Sequence, residues 1–195
     1  MRGHAIFVAM MTGALALGLG SCKSSSGDGP YEAGTEERRD VALALELNAR
    51  AADMLQSDPE GAEALLREAL TADLFCAPAH NNLGVVFLGQ GKLYEAAGEF
   101  EWARKLLPGH PDPRVNLALV LETAGKTDEA LASYEAALEV RPGYLPAIQG
   151  AASLAVRERC EDERLRGWLG EIAMRGDVLA WREWASAQLA RATGP

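Results

Sequence analysis

Basic charge is scarce in this chain of 195 residues: 19 Lys and Arg stand against 28 Asp and Glu, for a formal net charge of −9. A surface of that sign repels polyphosphate, which excludes nucleic acid as a partner. Histidine is scarcer, limited to His4, His80 and His110. Neither of the last two has cysteine or carboxylate at ligand spacing beside it, so no metal site is expected. Cysteine is limited to Cys22, Cys76 and Cys160. No apolar run reaches the roughly 20 residues that a membrane-spanning helix needs. Nearly half of the residues are nevertheless hydrophobic, enough for one ordinary domain with a sizeable core.

The first segment stands apart. Arg2 and His4 form a short basic region, Ala5 to Leu19 an apolar run, and Leu19-Gly20-Ser21-Cys22 follows at once, the order of a secretory signal. The tetrapeptide resembles the lipobox of bacterial lipoproteins. The resemblance implies a signal peptide over 1–21, cleavage before Cys22, and a lipid on Cys22 that anchors the mature chain to a membrane. Residues 22–34, rich in Ser and Gly, then read as a flexible tether. Lys23 rather than Asp follows the cysteine, and by resemblance to the proteobacterial sorting rule this implies the outer membrane, facing the periplasm. Loss of residues 1–21 removes Arg2 and no acid, leaving 28 acids and 18 bases, about −10.

Laid against itself, the chain repeats with a period of about 34 residues. Asn82-Leu83-Gly84 falls on Asn116-Leu117-Ala118, Ala96 on Ala130, Phe100 on Tyr134, Ala103 on Ala137 and Pro108 on Pro142. The spacing describes two antiparallel helices in close contact. Gly84 and Ala96 let the backbones approach while Leu83, Phe87 and Phe100 fill the space beside them. Gly91 and Gly125 sit where a first helix ends in a left-handed residue, and Pro108 and Pro142 stop the second. Asp58-Pro59 and Asp112-Pro113 each read as a cap followed by proline, and Thr127 as a further cap. The pattern resembles the tetratricopeptide repeat, except that His80 stands where a large apolar residue is usual.

That resemblance implies an all-α fold, a right-handed superhelix of stacked hairpins over 35–195. About three and a half repeats are expected, at 43–76, 77–110, 111–144 and a degenerate 145–176, followed by a capping helix over 178–192 with Trp181, Trp184 and Leu189. The first helix is expected to begin near Thr35. Arg164 occupies the usual Ala slot of the last unit and Gly176 its Pro slot. In this register Cys76 and Cys160 lie more than two repeats apart, whereas a disulfide needs Cα atoms within about 7 Å; both are expected as free packing thiols.

No catalytic constellation emerges. Gly125-Lys126-Thr127 ends like a phosphate-binding loop, but Val120 stands where the leading glycine belongs and the context is a helical hairpin rather than a strand and a helix. Runs such as Glu95, Glu99 and Glu101 read as a solvated helix face. The chain is therefore expected to be no enzyme and to hold no cofactor.

The resemblance places a partner on the concave wall built from the first helix of each repeat. The register assigns to it Leu47, Asn48, Ala51 and Met54; Asn81, Asn82, Val85 and Leu88; Val115, Asn116, Leu119 and Glu122; and Gln149 and Ser153. Asn48, Asn82 and Asn116 recur at one slot as a ladder of amides able to grip a peptide backbone, or alternatively to satisfy neighbouring backbone groups. Family members that clamp acidic chaperone tails use cations at positions that hold Leu47, Pro146 and Gly150 here, so a partly apolar, neutral or basic partner protein is expected, as an extended peptide or a helix. The plan is similar to that of repeat-bearing lipoproteins that help outer-membrane machines assemble. Two rivals remain: a self-associating homo-oligomeric scaffold that meets through Trp181 and Trp184, and a recruiter of an envelope hydrolase or protease.

Overall fold

The computed structural model describes residues 39–160 and 162–192, which form nine α-helices and no strand among the described residues. The helices are α1 (Val41–Met54), α2 (Pro59–Ala72), α3 (Ala77–Gly89), α4 (Leu93–Leu106), α5 (Asp112–Thr123), α6 (Thr127–Val140), α7 (Leu145–Glu158), α8 (Leu165–Arg175) and α9 (Leu179–Ala192). Each packs against its neighbours in the chain, and α1, α3, α5 and α7 also touch in succession. The result is a solenoid of stacked hairpins. No described helix is long and apolar enough to cross a membrane.

The period is visible in the boundaries. Pro59, Leu93 and Thr127 open α2, α4 and α6 at one constant spacing, and Leu145 and Leu179 open α7 and α9 at the same spacing. The C-terminal helix thus takes the place of the first helix of a fifth unit, in register. Its Ala185 is fully buried, and Trp181 and Trp184 meet edge to face at 5.3 Å against the core.

The first helix departs from the expected register. Val41 opens α1 two positions earlier than the period would place it relative to Ala77 of α3, because α1 is one residue longer than α3 and the turn Leu55–Asp58 one residue longer than Gln90–Lys92. Ala44, Leu47 and Ala51 therefore take the buried places of His80, Leu83 and Phe87, and Asn48 falls at the slot of Gly84 rather than of Asn82. Leu43, Glu46 and Arg50 then align with Ala79, Asn82 and Val86, the side that packs on a preceding unit. Here they are exposed, a mostly polar end face of the kind a terminal repeat needs. The helix begins at Val41, not near Thr35, which lies outside the described residues. Asp40 starts it by accepting from Leu43 N at 3.0 Å.

The remaining ends follow local chemistry. Asp58 caps α2 through Gly61 N at 2.9 Å with Pro59 in the first turn. Asp112 does not cap α5. Pro111 takes that place, its carbonyl accepting from Arg114 N and Val115 N, and Asp112 becomes a nearly buried first-turn residue. Thr127 is likewise the first helical residue of α6, with no side-chain cap bond. Gly91 and Gly125 adopt φ of 74° and 75°, and the backbone bonds Lys92 N to Phe87 O and Lys126 N to Leu121 O close the helix ends behind them. Arg159, one further period along, has the same conformation at φ 54°, with Cys160 N bonded to Ala155 O.

Ala62, Ala96 and Ala130 are fully buried where paired helices touch. Arg164 cannot enter that contact. It pairs instead with Asp162 and Glu135 at the surface, and α8 begins only at Leu165. The next slot is kept by bulk, filled by Leu66, Phe100, Tyr134 and Trp168 in turn, all buried. The core forms two clusters that meet on α5, where Val120 belongs to the first and Val115 and Ala118 to the second.

Candidate protein-binding face

The first helices form a continuous wall, but its asparagines turn inward. Asn116 donates its side-chain amide to Asn81 at 3.0 Å, Asn81 to Asn82 at 3.4 Å, and Asn82 to Asn48 at 2.9 Å. All four are buried, three of them completely. The ladder is therefore a chain of amides joining α1, α3 and α5 inside the stack. The expectation that these amides project into a groove is corrected: recurrence at the repeat period cannot distinguish a solvent-facing slot from one between helices. Buried amides that pair with one another avoid the cost of desolvation without a partner.

The rest of the expected set divides by accessibility. Val85 and Leu119, at equivalent slots of α3 and α5, are half-buried, as are Leu88 and Ser153, whereas Val115 is buried; Val156, which was not among the expected residues, is half-buried at the α7 slot equivalent to Leu88. On α1 the two-residue shift replaces the expected Leu47, Asn48, Ala51 and Met54 by Leu45, Glu46, Ala49 and Ala52 at these slots. Apart from Glu46, Glu122 and Ser153, the accessible part of the wall is aliphatic.

Glu122 and Gln149 are engaged within the stack. Glu122 accepts from Tyr134 Oη at 3.1 Å and from Arg157 at 2.6 Å. Burial, together with the adjacent Glu122 carboxylate, pushes the Tyr134 hydroxyl far above its ordinary pKa. Burial opposes the charge on Arg157, but its bonds to Glu158 and Glu122 outweigh this and raise its pKa. Gln149 is buried and donates to Asp177 at 3.1 Å in the turn between α8 and α9, so its end of the wall is closed by its own chain.

Two further clusters lie outside the expected set. His80 is buried, with Nδ1 2.6 Å from Glu99, Nε2 2.9 Å from the Leu74 carbonyl, and its ring stacked on Trp102. The polar ring thus fills an apolar slot by having both nitrogens partnered. Tyr144 donates its hydroxyl to Asp112, whose other oxygen lies 3.3 Å from His110 Nδ1. Burial, then this bond, raises the Tyr144 pKa. Neither contact has a sequence signal, because the partners come from different helices or turns and the same pairing does not recur in the other repeats. Cys76 is buried and Cys160 half-buried, both as free thiols. Burial pushes the Cys76 thiol above its ordinary pKa, away from the reactive thiolate.

With the geometry in place, a family model described as the tetratricopeptide repeat matches residues 53–111 and again 86–144. The chain carries tetratricopeptide repeats. Among solved structures with this fold, pilF of Pseudomonas aeruginosa is 25% identical over 78% of this chain and 70% of that one, at a TM-score of 0.68. The first tetratricopeptide domain of Spaghetti, bound to an HSP90 peptide, is 18% identical over 63% of this chain and 98% of that one, at 0.59. An O-GlcNAc transferase mutant of Thermobaculum terrenum is 24% identical over 75% of this chain but only 27% of that one, at 0.62. No curated protein matches the chain. Tetratricopeptide arrays are in general protein-binding scaffolds, and an adaptor role follows from the repeats.

Proposed function

We propose that this protein is a lipid-anchored adaptor of the bacterial cell envelope, tethered through Cys22 and facing the periplasm, that holds its partner along the tetratricopeptide wall and catalyses no reaction itself. Cys22 and its tether lie outside the described residues, so the anchor rests on the sequence Leu19-Gly20-Ser21-Cys22. The observation that supports the binding reading is the row of half-buried aliphatic side chains, Val85, Leu88, Leu119 and Val156, on successive first helices. A row of that kind suits the apolar face of a partner helix or the alternate side chains of an extended peptide. The Spaghetti domain carries an HSP90 peptide; the aliphatic wall here favours a less acidic, more apolar segment.

Replacement of Leu119 by Glu in the full chain places a charge in the middle of this row. The partner that co-purifies with the native chain is expected to be lost while helical content stays unchanged. Retention of that partner would show that the wall does not hold it. The anchor is checked separately by the mass of the mature chain, which should begin at Cys22 and carry acyl groups.

A further inference from the structure

The turns that lead from one repeat to the next carry Pro108-Gly109 and Pro142-Gly143, but the corresponding turn between α2 and α3 carries Leu74-Phe75. Both side chains stand in water, Leu74 58% and Phe75 50% exposed. The backbone beneath them is pinned. The Leu74 carbonyl accepts from His80 Nε2 at 2.9 Å, Phe75 N donates to the Asp73 carboxylate at 3.1 Å, and Cys76 N donates to the Asp73 carbonyl at 3.0 Å. A turn held this firmly that still leaves two large apolar side chains half or more exposed offers them as a contact surface.

The described chain begins beside this turn. Arg39 pairs with Asp73 and lies over the Phe75 ring at 4.8 Å, and Asp40 N donates to Ala72 O at 2.9 Å. The Arg39 and Asp73 charges cancel. Val41 and Leu45, one helical turn apart at the start of α1, are 46% and 45% exposed. Between Cys22 and Arg39 the sequence offers Tyr31 as its single large apolar side chain, too little to cover four others. A second copy would have to bring together two bodies with a formal charge of about −10 each, a self-repulsion that opposes close approach.

We infer that Leu74 and Phe75 form a wedge that seats the tethered repeat body on the lipid bilayer surface. The inference rests on the anchor proposed at Cys22. The segment from Cys22 to Arg39 is short, and a chain of about 17 residues reaches at most about 60 Å whatever its conformation. The turn is therefore held close to the bilayer at high effective concentration, where even a weak interfacial affinity suffices for contact. The local charge balance around Arg39 and Asp73 lets the turn approach while the acidic body stays outside.

The test uses the full acylated chain in phosphatidylcholine vesicles, with an environment-sensitive dye on Leu74→Cys in a Cys76→Ala, Cys160→Ser background. A control dye sits on Glu95→Cys, at the opposite end of the hairpins. The dye at 74 should shift to the blue and be quenched at least threefold more than the control by lipids carrying a nitroxide near the headgroup. Phe75→Ser should remove at least half of that difference. Equal, water-like emission at both positions overturns the inference. A blue shift without vesicles that grows with protein concentration also overturns it, in favour of a second copy. The intact mass is read on the same sample: a chain without acyl groups removes the anchor and the inference together, whereas an acylated chain with a water-exposed turn removes the inference alone.

Discussion

Asn82 on α3 donates its side-chain amide to Asn48 on α1 at 2.9 Å, and neither side chain is open to solvent. With the bonds from Asn116 to Asn81 and from Asn81 to Asn82, the amides lock three helices in a fixed stagger. Asn82→Ala leaves the Asn48 carbonyl without its donor, so a loss of about 1–3 kcal/mol is expected in urea unfolding. Asn48→Ala should cost a similar amount, and the double variant less than the sum of the two. Unchanged stability together with loss of the partner would return these amides to a ligand-facing role.

Arg159 is the one described residue other than glycine with positive φ, at the place where Gly91 and Gly125 stand in the earlier repeats. A side chain is disfavoured there by about 1–2 kcal/mol. Arg159→Gly should therefore raise stability, by about 1 kcal/mol once the added freedom of the unfolded chain is subtracted. Thermal unfolding of the two proteins measures the difference, and a lower midpoint for the glycine variant would contradict the assignment.

Gly84 and Gly98 both lie in helices but in opposite surroundings. A Cβ on Gly84 would stand 2.6 Å from the Phe100 ring, whereas one on Gly98 meets nothing within 4 Å. Gly84→Ala is expected to destabilise by about 1–3 kcal/mol through overpacking. Gly98→Ala is expected to stabilise by about 0.5–1 kcal/mol through backbone entropy. Denaturant midpoints of the two variants should move in opposite directions.

Acid should loosen the array. Hydrogen bonds from Arg39 hold Asp73 below its ordinary pKa, those from Arg164 do the same for Asp162, and Gln90 followed by Arg67 lowers Glu63. A carboxylate depressed in the folded state contributes stability above its unfolded pKa, about 4, and this is lost as pH falls through the lower folded value. The thermal midpoint should thus decline as pH drops below about 4. Asp73→Asn should reduce that dependence, and an unaltered acid profile would show that the pair with Arg39 does not act on folding.

The helical plan was legible because its slots are set by size: Ala62, Ala96 and Ala130 by contact, Leu66, Phe100 and Tyr134 by filling. The position of α1 was not. Aligning Asn48 with Asn82 and Asn116 gives a tidy recurrence at the repeat period, yet it also sets Arg50 upon Gly84 and Asp53 upon Phe87, two charges in buried slots. That conflict was the available signal for the longer turn at Leu55–Asp58. The candidate wall was legible as a set of helices but not side chain by side chain. The partners that remove Gln149 and Glu122 from it, Asp177 and Arg157, approach from turns and neighbouring units that the repeat pattern does not encode.

Photo-crosslinking in the native envelope tests most directly whether the aliphatic wall receives a partner, with the reactive group at Val85 or Leu119 and a control at the exposed Lys105. A discrete adduct from the two wall positions and none from Lys105 is the result predicted here. Adducts from Lys105 alone, or none from any position, would contradict it.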